Sequence, residues 1–203
     1  THFQGPIGRA ELKWESHTEF VTYTAFTKGV SARPFDPAEA DVMPEDWLAA
    51  APGKRLTSVL IRVEPMPASE AVLLERLDEW FVPESLAVSR VVDGAAVVAG
   101  DFRIDPAGHM RFAVFVAPGT GPRRVGRIVQ RLCEIETYRA MSMLGLMRSR
   151  DLSARLNALD PKLSALVSGL DNAEPAPEVA LHNLLTISAE LESLAVQFSF
   201  RFG

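Results

Sequence analysis

One cysteine in 203 residues, Cys133, leaves no second thiol with which to close a disulfide inside the chain. A fold held by its core alone fits a reducing compartment such as the cytosol. Histidine is sparse as well. His2, His17, His109 and His182 are dispersed, and no H-E-x-x-H occurs. His17-Thr18-Glu19 matches the H-x-E half of a zinc deaminase signature, but one cysteine cannot supply the P-C-x-x-C half. No metal and no cofactor is expected on these grounds. G-x-S-x-G is missing too, which removes the usual serine nucleophile. No run approaches the roughly 18 apolar residues of a membrane-spanning helix, and residues 140–147 are far too short. A basic segment followed by an apolar one is absent from the start. The net charge of −5 argues against binding nucleic acid through its phosphates.

What remains is ordinary folding material: 47% hydrophobic and 23% charged residues, enough for one large domain or a domain with an appendage. Residues 9–17 alternate, with Ala10, Leu12 and Trp14 on one side and charged residues on the other, which predicts a strand with one buried face. Residues 20–26 are aromatic and β-branched and read as its neighbour. Residues 27–55 form a long connection with a helical turn near 44–51. A strand follows at 57–63. Ser69 then caps a helix whose Leu73, Leu74, Leu77, Trp80 and Phe81 make one apolar face, ended by Pro83. Residues 86–92 and 95–104 flank Asp93-Gly94, the signature of a two-residue hairpin turn. A turn at 105–108 leads to a last strand at 110–116. The expectation is an α+β body, residues 1–120, with one mostly antiparallel sheet of about six strands and one connecting helix.

From residue 121 onward the pattern becomes helical. Leu152, Leu156, Leu159, Leu163, Leu166 and Leu170 recur at spacings of four and three, and Ala180, Leu184, Ile187, Leu191, Leu194 and Phe198 repeat them. Two matched stripes joined by the polar linker 171–178 predict a long antiparallel helical hairpin over 121–203, its first helix packing partly on the body. The other arrangement is two separate amphipathic helices on the sheet, but a seam this narrow suits a helical partner. Pro161 interrupts the first helix, and Asp160 can cap a restarted one, leaving a kink. The chain starts without methionine and ends within a helical pattern at Gly203, as a piece of a longer protein does.

Two groups of residues are candidates for chemistry. Arg123, Arg124 and Arg127 fall in the first two turns of a helix, where the macrodipole is already positive, and Arg131 extends the strip. Free amides beside arginines make an anion site, unless carboxylates of the body neutralise them. The Gly121–Gly126 spacing resembles a P-loop, but Arg127-Ile128 stands where Lys-Ser/Thr is needed, which excludes nucleotide hydrolysis there. A second group, Glu15, His17, Glu19, Asp101, Arg103, Glu134, Glu136, Tyr138 and Arg139, is a candidate polar cluster, with ordinary surface pairing as the simpler account. No catalytic residue is assigned.

Trp14-Glu-Ser-His-Thr-Glu-Phe20, Asp101-Phe-Arg103, Arg123-Arg124-Val-Gly-Arg127, Gln130-Arg131-Leu-Cys-Glu-Ile-Glu-Thr-Tyr-Arg139 and Ser199-Phe-Arg-Phe202 occur in this order. Together they resemble the bacterial family called domain of unknown function 3422, the Glu-Ile-Glu-Thr-Tyr-Arg block being its most distinctive piece. Pro161 departs from the unbroken helix that the resemblance implies. It also implies a longer protein anchored in the bacterial inner membrane by segments outside this chain, which would be its cytoplasmic middle, and it implies no activity. The expectation is a non-enzymatic module that joins a protein partner or a second copy through the hairpin. The alternative is an anion-binding or enzymatic domain for a small anionic ligand at the arginines.

Overall fold

The alternation that marks residues 9–17 does build a strand, but its partner on the N-terminal side carries none of the usual signals. The computed structural model describes residues 1–36, 41–171 and 176–199. Strand β1, His2–Ile7, pairs antiparallel with β2, Ala10–Ser16, across a two-residue turn at Gly8-Arg9. Gly5 and Pro6 make β1 read as a breaker. It is nevertheless a strand, because at a sheet edge the missing proline amide faces solvent. β3, Val21–Phe26, completes a three-stranded sheet in the order β1-β2-β3. Ala10 and Leu12 of β2 are buried, as the period of two requires.

After helix α1, Glu45–Ala50, the chain enters β4, Val59–Pro65, then helix α2, Glu70–Trp80, and three strands. These are β5 (Ala87–Val91), β6 (Ala96–Ile104) and β7 (Met110–Val116). They form a second sheet in the order β4-β7-β6-β5, with β4 and β7 parallel and the other pairs antiparallel. The expected single sheet of about six strands is therefore two sheets, with seven strands among the described residues. The Asp93-Gly94 turn is also longer than two residues: β5 and β6 part at Val91↔Ala96, and Val92, Asp93 and Gly94 all take positive φ.

Both faces of the second sheet are covered, which explains why β6 and β7 read as nearly continuous apolar runs. On one face Leu73, Leu77, Trp80 and Phe81 pack on Val97, Ala99, Ala113 and Phe115. Ser69 caps α2 through Val72 N–H at 3.4 Å. Leu74, expected on the apolar face, lies on its flank and is 58% exposed. On the opposite face Ile128 and Leu132 of helix α3, Pro122–Asp171, meet Ala96, Met110, Phe112 and Val114. Burying each such large side chain stabilises the fold by roughly 1.5–3 kcal/mol.

The chain divides into two units, Thr1–Tyr138 and Arg139–Gly203, and α3 passes from one into the other. It runs through Pro161 without a break, against the expected interruption. One proline at an exposed position forfeits one intrahelical hydrogen bond and costs about 3 kcal/mol, which the leucines on either side outweigh. Helix α4 spans Pro177–Ser199. Arg155 donates to Gln197 at 3.2 Å and Lys162 to Glu190 at 3.4 Å, so seven residues forward on α3 match seven backward on α4. The two helices run antiparallel along this stretch. Part of the expected linker 171–178, and the motif segment 200–202, lie outside the described residues.

Candidate functional site

The helix start at residue 121 is built from the turn before it. Gly119 takes positive φ, Pro122 presets the first helical residue, and the Gly121 carbonyl accepts from Arg124 N–H at 3.0 Å. Ile128 and Leu132 point to the sheet, which leaves Arg123, Arg124, Arg127 and Arg131 on exposed positions. No acidic residue occupies the first turn. Among the described residues no carboxylate pairs with Arg123, Arg124 or Arg127, while Arg131 reaches Glu134 at 3.7 Å. Each uncompensated cation there costs roughly 0.3–1 kcal/mol against the macrodipole. Gly119, Gly121, Pro122, Arg123 and Arg124 line a shallow groove.

The nine residues of the second group have different surroundings. Glu15 pairs with Lys13 on its own strand at 2.9 Å, and His17 stacks on Phe20 in the β2–β3 turn with ring centroids 4.4 Å apart. Glu19, in the same turn, is exposed. Asp101 and Arg103 do come together: the buried Asp101 accepts from Arg103 N–H at 3.2 Å, and Arg103 Nε donates to Ser85. On α3, Glu134 accepts from Gln130, Glu136 is buried and accepts from Thr57 Oγ1 at 2.5 Å, and Tyr138 is exposed. Arg139 opens the second unit and is half-buried.

The strongest polar construction in the first unit is one that sequence reading missed. Glu64 of β4 engages Arg62 with one oxygen and Arg76 of α2 with the other, both at 2.5 Å. The two guanidiniums lie 5.3 and 5.9 Å from the Trp80 ring centre. Arg62 also donates to the Ser31 carbonyl at 2.7 Å, fastening the long connection to the sheet. Nearby, Phe35 takes φ +54° and sets its ring against Trp80, Phe81 and Arg111. Arg111 in turn binds Asp101 at 3.1 Å. The available signal was the i,i+2 spacing of Arg62 and Glu64, which puts both on one strand face, and the i,i+4 spacing of Arg76 and Trp80. Both oxygens of Glu64 and of Asp101 accept hydrogen bonds, so these carboxylates clamp together the segments they join.

The Ser58–His109 pair was also silent in the sequence. Ser58 Oγ lies 2.7 Å from His109 Nδ1. Asp105 holds the His109 backbone amide at 2.8 Å, so this carboxylate does not orient the ring as a triad acid does. Burial pushes the Cys133 thiol above its ordinary value of 9.0, with Lys13 pulling in the opposite direction, so the protonated and unreactive form is favoured.

Residues 1–203 match the model of a family described as protein of unknown function, DUF3422. The chain belongs to this family. No match was found among curated proteins, and none among solved structures. For this DUF3422 chain the chemistry is therefore read from the side chains alone.

Among the described residues, an apolar strip without a partner lies in the second unit of the DUF3422 chain. Leu159 and Leu166 of α3, with Ala180, Ile187 and Leu194 of α4, recur every seven residues and are all at most 7% exposed. The alternate leucines of the same stripes, Leu156 and Leu163 on α3 and Leu184 and Leu191 on α4, are 39–43% exposed. One layer of the seam is closed and the other is open on one side. Among the described residues, no helix is long and apolar enough to cross a membrane.

Proposed function

We propose that this chain is a non-enzymatic interaction module, the cytoplasmic part of a membrane-anchored bacterial protein, and that the helical hairpin is the element by which it joins a protein partner. The observation that carries this reading is the half-open leucine layer. Four leucines at matched heptad positions, all exposed to nearly the same degree, form a continuous strip instead of scattered surface residues. A two-helix seam that closes only one of its layers has the shape of an unfinished bundle. The first unit supports the same reading, because its best-formed polar groups are consumed by internal pairing. In cells, the photoreactive residue benzoylphenylalanine at Leu163 is expected to capture a protein partner. The same label at Ala158, exposed on the opposite side of α3, is expected to stay free. Equal capture at both positions, or none at Leu163, refutes the reading.

A second reading rests on Arg123, Arg124 and Arg127, three exposed cations without a carboxylate partner among the described residues. It makes the helix start a site for a small anionic ligand. Titration with phosphate or sulfate tests it by calorimetry. Saturable heat that disappears in the Arg123→Gln/Arg124→Gln/Arg127→Gln variant supports the site, and equal heats for both proteins remove it.

A further inference from the structure

We infer that the open leucine layer is covered by a second copy of this chain, in a two-fold four-helix bundle that sets α3 of each copy beside α4 of the other. This rests on the reading of the hairpin as the interaction element and names its occupant.

The two long edges of the helix pair differ in a way that selects the face. Along one edge the pairs Arg155–Gln197 and Lys162–Glu190 bridge the helices. In heptad terms these four residues occupy g positions, which face each other in an antiparallel pair. The open leucines occupy the a positions, next to the opposite edge. That edge carries Ser153, Asp160 and Val167 of α3 and Leu181, Ser188 and Ala195 of α4, so apart from Asp160 its residues are small or apolar and another helix can approach over them. A newcomer on that side breaks neither of the existing bridges.

Charge selects the occupant. The stretch of α3 in the second unit carries Arg139, Arg148, Arg150, Arg155 and Lys162 against Asp151, Asp160 and Asp171, whereas α4 carries Glu178, Glu190 and Glu192 and no lysine or arginine. Arg148, Arg150, Glu178 and Glu192 have no ionic partner among the described residues. A second copy brings both signs in complementary order. A two-fold axis parallel to the helices places the basic α3 of one copy antiparallel to the acidic α4 of the other. An axis perpendicular to them would place like arms together and is disfavoured by repulsion.

The size is sufficient. The 23 residues of α4 give about 34 Å of helix, of which about 30 Å is shared with α3, and two helices about 10 Å apart make a face about 20 Å wide. This amounts to about 600 Å² per copy and about 1,200 Å² in total, at the lower end of specific interfaces.

Light scattering coupled to size exclusion, on the whole chain from about 1 to about 500 µM, reads the association. The expected result is a concentration-dependent shift from monomer to dimer mass. Leu163→Glu/Leu191→Glu is expected to weaken it at least 100-fold with far-ultraviolet dichroism unchanged. A second measurement does not depend on that variant folding. In a Cys133→Ser background, mixed Leu163→Cys and Leu191→Cys proteins form an intermolecular disulfide faster than either does alone. A strict monomer throughout the range overturns the second copy, and the cellular capture at Leu163 then decides separately whether the face has another protein partner. A dimer untouched by the double glutamate variant, or equal disulfide rates for mixed and single proteins, overturns the assigned face and geometry.

Discussion

Removing the Asp101 carboxylate tests whether the clamp between β6, β7 and the connection after α2 holds the first unit together. Asp101 is 1% exposed and accepts from Arg111 Nη2 at 3.1 Å, Val82 N–H at 3.2 Å and Arg103 N–H at 3.2 Å. In Asp101→Ala the Arg111 guanidinium keeps its place over Phe35 and Phe81 but loses its counter-charge, and its Nε already lacks a hydrogen-bond partner among the described residues. Breaking a buried pair from one side costs about 3–5 kcal/mol. The Arg111 side chain is 22% exposed, so water recovers part of this, and Arg103 N–H at the surface is rehydrated, whereas Val82 N–H is half-buried and costs about 1 kcal/mol. The expected loss is about 3 kcal/mol. With a urea dependence of about 2 kcal/mol per molar, the midpoint falls by about 1.5 M. Trp14, Trp47 and Trp80 all lie in the first unit, so tryptophan fluorescence reports its unfolding selectively. Asp101→Ala/Arg111→Met is expected to be less damaging than the sum of the single changes by about 2 kcal/mol, because the stranded charge is gone. A loss under about 1 kcal/mol for Asp101→Ala, or strict additivity in the cycle, refutes the clamp.

Other outcomes follow from single contacts. Gly100→Ala places a Cβ 2.6 Å from the Phe112 ring and 3.1 Å from the Arg111 carbonyl, so it is expected to lower the same urea midpoint by about 1–3 kcal/mol equivalent. Pro161→Ala restores an amide donor at an exposed helical position and is expected to raise the melting temperature of the helical dichroism, by up to about 3 kcal/mol of stability; no rise contradicts the unbroken helix. Val92→Asn relieves positive φ at a branched residue and is expected to stabilise the first unit by about 1 kcal/mol in a melting assay. Iodoacetamide is expected to modify Cys133 more slowly than a free thiol at pH 8. Because the folded state holds the thiol proton more tightly than the unfolded chain does, Cys133 contributes no loss of stability at lower pH. Stability then falls as pH rises from the ordinary thiol range through the raised folded value. Comparison of the pH-dependent urea midpoints of wild type and Cys133→Ser isolates this slope.

Much of the fold was legible where one face of an element meets the core and the other meets water. β2 announced itself by alternation, α2 by its Ser69 cap and the Leu73–Leu77–Trp80 spacing, and the paired C-terminal helices by their recurring leucines. β1 was not legible, because Gly5 and Pro6 are permitted only by its position at a sheet edge, and local sequence does not record edge position. The division into two sheets was hidden for a related reason: hydrogen bonding between strands far apart in sequence leaves no periodic trace. Arg123, Arg124, Arg127 and Arg131 could be read as a basic strip because they are close in sequence. The Glu64–Arg76 and Asp101–Arg111 pairs could not, since they join β4 to α2 and β6 to β7.

The heptad stripes of the two C-terminal helices were determined by sequence alone, because a repeat of seven on a helix returns to one face wherever the helix lies. Which layer of that stripe is sealed was decided only by tertiary structure. The antiparallel register set by Arg155–Gln197 and Lys162–Glu190 turns Leu159, Leu166, Ile187 and Leu194 inward and leaves Leu156, Leu163, Leu184 and Leu191 half in water. A linear sequence marks all these residues as apolar alike. Only the angle at which one helix meets the other sorts them into a closed seam and an open face.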